Sequence, residues 1–457
     1  MKLNNIHSIY FVGIGGIGMS ALARYFFGRG VKVAGYDRTE TTLTKTLVSE
    51  GITVRYTAEV ATLPQDVDLV VYTPAVPATQ AELVWFREQG YPVLKRSAVL
   101  GIISKGMRTV AIAGTHGKTT TSTLTTHLLR SGGVDCNAFL GGVARNFSSN
   151  FVEGTSEWVV IEADEFDRSF LTLHPNIATI MSLDADHLDI YGDEASMMET
   201  GFLAFVKQIE PGGELLVKAG LEKSFADLDV KVSTFGIETG DVQAQNLRVE
   251  DGFFVFDYQS RATLIKGLRH PHPGRHNVEN ALAAITVALR LGVAPAAIAE
   301  GLLSFRGIGR RFEFHIREKD LVYIDDYAHH PTELAAAIGA ARELYPSKKL
   351  TGIFQPHLFS RTRDFVEGFA AALDLLDEAL LLDIYPAREE PIPGVDARLI
   401  YQHMKNKNCQ LLSKAEVLET LATMDIEVLM TLGAGDIDTL VDPIKEQLLS
   451  ETEQHNA

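Results

Sequence analysis

Cysteine is almost absent from this chain, which holds only Cys136 and Cys409. Two cysteines so far apart make neither a metal-binding spacing nor a disulfide framework, so a small cross-linked secreted domain is excluded and a reducing compartment fits. Long apolar runs are missing as well. No stretch approaches the ~18 consecutive apolar residues of a membrane span. The apolar start, Met1 to Ser20, is interrupted by Gly13, Gly15, Gly16 and Gly18, so it does not read as a signal peptide. The expected location is the cytoplasm. Positive charge is in deficit, with 42 Lys and Arg against 59 Asp and Glu and a net charge of −17. That balance argues against nucleic acid as the main partner, since a phosphate backbone needs clustered cations. Any cation used on a phosphate must act locally.

What is present suits a globular protein of several cores. The 457 residues are 46% hydrophobic and 22% charged, which predicts about two to four domains. The most informative stretch is Gly114-Thr-His-Gly-Lys-Thr-Thr-Thr121. An apolar run, Thr109 to Ala113, precedes it as a buried strand, and leucines at helical spacing (Leu124, Leu128, Leu129) follow it. A glycine loop joining a strand to a helix is the setting of a phosphate site, where backbone N–H groups and a helix N-terminus converge on an anion. Gly114, Thr115, His116, Gly117, Lys118, Thr119 and Thr120 are therefore expected to bind ATP. Lys118 would reach the outer phosphates, and the Thr119 hydroxyl would ligate Mg²⁺. The loop is a shortened form, because the full eight-residue motif would place Gly where this chain has Ile112.

A second glycine-rich loop lies near the start. Ile9 to Val12 reads as a strand, Gly13-Ile-Gly-Gly-Ile-Gly18 as a tight turn, and Met19 onward as a helix; the next strand ends at Asp37. This is a dinucleotide fingerprint, in which glycines let a diphosphate approach and an acid takes a ribose hydroxyl. By itself it fits a nicotinamide cofactor or another nucleotide diphosphate. Further along, Trp158 to Ile161 runs into Glu162-Ala-Asp-Glu-Phe-Asp167, and Asn176 to Leu183 runs into Asp184-Ala-Asp-His-Leu-Asp189. Acids at strand ends beside a phosphate loop are where Mg²⁺ ligands belong, with a solvated acidic loop as the competing reading; a lone His187, taken alone, is more often a plain loop residue than a ligand. His276, Asn277 and Asn280 open an alanine-rich helix, either capping it or meeting an adenine edge. Phe305-Arg-Gly-Ile-Gly-Arg-Arg-Phe312 reads as a hinge whose guanidinium groups clamp an anion, or as a basic linker. The remainder alternates strands with helices, and polar residues end four successive strands, which suggests one ligand-facing edge of a parallel sheet.

These pieces in this order resemble the Mur ligase family over nearly the whole chain. The motifs are Gly13 to Ser20, Ala113 to Thr121, Glu162-Ala-Asp-Glu165, Asp186-His-Leu-Asp189, Gly274-Arg-His-Asn-Val-Glu-Asn280, Gly309-Arg-Arg-Phe-Glu313, Asp325-Asp-Tyr-Ala-His-His-Pro-Thr-Glu333 and Phe354-Gln-Pro-His357. The similarity is strongest to members that join L-alanine to UDP-N-acetylmuramate. It implies an α/β protein with a Rossmann-like N-terminal domain for the UDP-sugar (1–106), a central P-loop ATPase-type domain (107–310) and a C-terminal Rossmann-like domain (311–457). It also implies the reaction: ATP phosphorylates the lactyl carboxylate, and the amine of L-alanine attacks the acyl phosphate. Lys118, Glu162, His187, Arg310 and His329 would be catalytic, with Thr119, Glu162 and His187 holding Mg²⁺. His276, Asn277, Asn280, Arg310 and Asp326 would join the loop in binding ATP. Gly15, Gly16, Gly18, Met19, Asp37, Arg311, Tyr327, His329, His357 and Arg361 would bind the substrates. A monomer or weak homodimer is expected, and closure about Gly307–Gly309 would exclude water from the acyl phosphate.

Two departures accompany the resemblance. Leu358 stands where many relatives carry Arg. No Lys occurs between His187 and Lys207, so the carbamylated lysine of some relatives is not expected. Two other readings share the same motifs: a ligase adding a recycled tripeptide or another amino acid, and, from the first glycine loop alone, a nicotinamide oxidoreductase. A nucleotide sensor without catalysis is the third.

Overall fold

The computed structural model describes residues 3–184, 191, 193–387 and 389–456. Three sheets organise the chain. The first has five parallel strands, in the order Thr53–Arg55, Lys32–Tyr36, Ser8–Val12, Leu69–Tyr72, Val93–Lys95. Ser8–Val12 is wholly buried, as a parallel strand covered on both faces must be. The strand order reverses direction at that strand, and the first glycine loop leaves its carboxyl end at the switch point where doubly wound sheets bind ligands.

The second sheet has ten strands. Arg108–Ala113 lies inside it, flanked in parallel by Trp158–Glu162 and Ile177–Ile180. Ile112, the departure from the full loop motif, is fully buried and pairs in register with Glu162. The strand thus continues through the position where a longer loop would begin. On one side of the sheet lie four further strands, Lys231–Ile237, Val242–Glu250, Phe253–Ser260 and Leu264–His270. On the other side lie Asn137–Ala144 and Ser149–Val152, an antiparallel pair that sequence patterning did not single out.

The third sheet has six strands. Glu313–Arg317 runs antiparallel to Val322–Asp326, and the others are parallel. Val322–Asp326, Leu350–Phe354, Glu378–Leu382 and Val428–Leu432 all deliver polar loops to one sheet edge, as the alternation predicted. No helix among the described residues is long and apolar enough to cross a membrane.

The chain forms two compact units. One comprises Met1–Asn246, Phe256–Arg269 and Glu279–Arg306; the other comprises Leu247–Val255, His270–Val278 and Gly307–Ala457. The first unit holds two sheets because they share a core. On the helix Ile17–Gly28, Tyr25 and Phe26 are buried, and Tyr25 packs against Phe139 and Phe151 of the second sheet at ring distances of 5.5 and 5.9 Å. Beside them Arg24 makes charge-assisted bonds to Glu50 at 2.8 and 2.9 Å and also donates to Asn150, whose amide donates to Ser20 Oγ at 2.9 Å. The expected boundary near 106 falls at the end of the helix Arg96–Gly106, which passes almost directly into Arg108–Ala113. There the chain changes sheet without leaving the core. Phe26 is 1% exposed, so Phe26→Ala is expected to lose about 3–5 kcal/mol, read as a lower urea midpoint for unfolding of this unit.

Candidate active site

Short-range geometry makes the loop after Arg108–Ala113. Gly117 has φ 83°, in the left-handed region, and a Cβ there would lie 2.7 Å from Asn280 Oδ1. The backbone must therefore be bare at this point. Ser182 pins the other side of the loop: its hydroxyl lies 2.9 Å from Thr115 Oγ1 and accepts from the His116 N–H at 2.7 Å. The helix Lys118–Ser131 begins immediately, with no side chain capping its N-terminus. Its first N–H groups and its dipole are left to an anion.

Charged groups line the same loop. Lys118 Nζ donates to Gly114 O at 2.7 Å and lies 3.0 and 2.7 Å from the two carboxylate oxygens of Glu165. Glu162, at the end of Trp158–Glu162, accepts from Thr119 Oγ1 at 2.9 Å and from the Gly141 N–H at 2.8 Å. Burial pushes both carboxyls up, that of Glu165 to about 7, against the opposing pull of Lys118. Thr119 and Glu162, expected to share a metal ion, are thus neighbours. His187 lies outside the described residues. Asn280 packs on the loop at Gly117.

Around the first glycine loop the acid is bonded to the loop itself. Asp37 accepts the Gly15 N–H at 2.7 Å and the Thr39 N–H at 3.2 Å, so its carboxylate braces the loop. Met19 buries its side chain in the core and presents only backbone in the first helical turn. Gly16 is the N-cap of that turn and Gly18 lies within it. Arg96 was not singled out from the sequence. A Cβ on Gly18 would lie 2.8 Å from Arg96 Nη1, so this guanidinium sits over the glycine loop. The signal was available: Arg96 begins a helix, where the dipole disfavours a cation unless an anion is near.

In the second unit, His276 and Asn277 lie in the first turn of the helix Arg275–Arg290, and the Asn277 amide donates to Pro273 O at 2.7 Å. Arg310 is held by its own surroundings. Nε donates to Asp325 Oδ2 at 3.0 Å and Nη2 to Gly433 O at 2.7 Å, and the guanidinium faces the Tyr327 ring at 5.2 Å. Arg311 faces the same ring at 5.1 Å. Asp326 accepts the N–H groups of Phe312 and Ala328, each at 2.7 Å, and burial raises its carboxyl to about 6. His329 lies 3.2 Å from Glu333, with burial holding its imidazole below the ordinary value. Its ring meets His357 edge-on at 6.0 Å, and His357 stacks on Tyr385 at 5.8 Å. Tyr385 is a further neighbour that the sequence reading passed over. Arg361 is buried close enough to influence His329 electrostatically. Leu358 is buried with φ 72° and donates its N–H to Tyr385 O at 3.0 Å. A bulky residue in that region is strained, and the bond helps hold it there.

Three family models match the chain in order: the Mur ligase family catalytic domain over residues 8–108, the Mur ligase middle domain over 112–288 and the Mur ligase glutamate ligase domain over 310–438. The chain is 48% identical to the UDP-N-acetylmuramate–L-alanine ligase of Phocaeicola vulgatus over 453 residues, covering 97% of this chain and 98% of that one. The ligase of the same name from Porphyromonas gingivalis is 48% identical over 451 residues, covering 96% and 98%. Among solved structures, the UDP-N-acetylmuramate-alanine ligase of Thermotoga maritima superposes with a TM-score of 0.83 at 30% identity, covering 97% and 99%. A murein peptide ligase of Psychrobacter arcticus shares the fold, with a TM-score of 0.71 at 24% identity over 97% and 98% of the chains.

Two outcomes follow from the geometry. Gly117→Ala forces a left-handed alanine and a Cβ against Asn280, so nucleotide affinity should fall at least about tenfold, measured by titration with fluorescent ADP. For Asp326, the folded pKa lies above the unfolded one, so the folded state holds the extra proton between them. Stability due to this group therefore declines as pH rises from about 4 to about 6. A carboxyl-carbon NMR titration should give a midpoint at about 6 rather than near the ordinary 3.8.

Proposed function

The chain belongs to the Mur ligase family, and we propose that it joins L-alanine to the lactyl carboxylate of UDP-N-acetylmuramate at the expense of ATP, a step in peptidoglycan precursor synthesis. The observation that carries this reading is the pairing at one sheet edge of Lys118 in an anion-ready loop with Thr119 and Glu162 beside it. A carboxylate resists an amine because an oxide would have to leave. Transfer of the γ-phosphoryl group to it gives an acyl phosphate and ADP. The amine then attacks the carbonyl carbon, phosphate leaves and the amide remains. Such chemistry needs charge neutralisation and alignment more than covalent help.

Lys118 and the loop N–H groups take the phosphates of ATP, and Asn280, with His276 and Asn277, serves the adenine side. A magnesium ion fits the hard oxygens that Thr119 and Glu162 present side by side, with His187 as a further ligand. When bound, it neutralises charge on the transferring phosphoryl group. The first glycine loop, with Gly15, Gly16 and Gly18 braced by Asp37 and overlaid by Arg96, takes the UDP diphosphate. His329, His357, Arg361 and Tyr385 form the amino-acid side, with Arg361 toward the carboxylate. Arg310, Arg311, Asp326 and Tyr327 serve phosphate or substrate from the neighbouring loop. Residues 1–106, 107–310 and 311–457 are the corresponding functional divisions. Soluble nucleotide substrates support a cytoplasmic location, and a monomer or weak homodimer is part of the same proposal.

The test is phosphate release from ATP in the presence of Mg²⁺ and UDP-N-acetylmuramate, with L-alanine, L-serine, glycine or the tripeptide added in turn. Release is expected to require both the sugar nucleotide and L-alanine, and to drop by at least about a thousandfold in Lys118→Ala. Release with the tripeptide alone would move the assignment to a recycling ligase. Silence with every acceptor would sink the ligase reading.

A further inference from the structure

Two carboxylates three positions apart face the phosphate loop, Glu165 buried and Glu162 half-buried, and they have different partners. Glu162 is committed to the Thr119 hydroxyl and the Gly141 N–H. Glu165 is committed to Lys118, and its side chain is 0% exposed. An ammonium has three donors. Here Lys118 meets Gly114 O at 2.7 Å and the Glu165 oxygens at 3.0 and 2.7 Å, with Thr115 O at 3.3 Å. Its directions are therefore filled by protein acceptors, and a phosphate arriving at Lys118 must displace or share one of them. Backbone carbonyls are neutral and give way cheaply, whereas a carboxylate bond is charge-assisted. Glu165 is also anchored. Its backbone oxygen accepts the Tyr191 hydroxyl at 2.8 Å and the Arg168 N–H at 3.0 Å. A carboxylate with no exposed surface is screened little by solvent.

We propose that Glu165 is the positioning residue for Lys118: it holds the ammonium over the glycine loop and competes with nucleotide phosphates for it, trading affinity for prompt release of ADP. The inference rests on reading this loop as the ATP site. The carboxylate keeps the long lysine side chain ordered and aimed before the nucleotide arrives. It also keeps the positive charge partly satisfied, so the bound diphosphate product is not held too tightly. Asp164, close to both groups, adds negative charge in the same sense.

The experiment measures the Kd of N-methylanthraniloyl-ADP with Mg²⁺, and KM for ATP with kcat, in wild type, Glu165→Gln, Glu165→Asp, Lys118→Ala and the Lys118→Ala/Glu165→Gln pair. Glu165→Gln should lower Kd for ADP and KM for ATP about tenfold while kcat falls several-fold as ADP leaves more slowly. Glu165→Asp, which keeps the charge but draws it back from Lys118, should show a smaller change in the same direction, and it serves as the test if the glutamine variant does not fold. In the Lys118→Ala background the glutamine substitution should change Kd by less than about twofold, because the competitor has lost its target. Weaker or unchanged binding in Glu165→Gln would overturn the proposal, as would a gain that persists without Lys118. Failure of the wild type to bind MgADP at all would overturn the nucleotide reading and this inference with it.

Discussion

Everything in the first unit depends on the burial of Tyr25 and Phe26 with Phe139 and Phe151. These rings belong to two sheets, yet they lie in one cluster, with Arg24 and Asn150 satisfying the polar groups at its margin. Close-packed interiors transmit displacement rather than absorb it. The two glycine loops, Gly13 to Gly18 and Gly114 to Gly117, are therefore carried on a single body. A reaction that joins a sugar nucleotide to a phosphoryl donor profits from such a body, because orientation is settled before either substrate binds.

At the phosphate loop the same low-exposure surroundings sort the charges. Glu162 and Glu165 are both pushed toward the proton by burial, and each is answered by a different partner, a hydroxyl for one and an ammonium for the other. Buried charges persist only when paired in this way. The second unit solves a related problem with backbone. Arg310, Phe312 and Leu358 all take positive φ, and each is tied by a main-chain bond to a neighbouring side chain or carbonyl. Strain of that kind marks places where side chains must be aimed rather than merely accommodated.

The strands and loops that end on a sheet edge were legible because their signals are local. Thr109 to Ala113, Gly114 to Thr121 and the four polar strand ends of the third sheet need only chain-neighbour chemistry to be recognised. Asn137–Ala144 with Ser149–Val152 escaped notice because glycines and polar residues dilute their alternation. Asp37 was legible as an acid near a glycine loop. Its bond to the Gly15 N–H was not, since ribose and backbone present similar donors to a carboxylate. Arg96 and Tyr385 were missed because each reaches its site from a separate strand–helix unit.

Residue types at short spacing along the chain carry the chemistry: an anion loop with its lysine and hydroxyl, acids at strand ends, and a second glycine loop. The choice of partners came from the packed fold. That Glu165 rather than Glu162 takes Lys118, that Met19 turns into the core and Arg96 lies over Gly18, and that two sheets share one body all depend on packing between distant segments. Burial and electrostatic pairing act through space, and spacing along the chain does not encode which of two similar carboxylates arrives within 3 Å of a given ammonium.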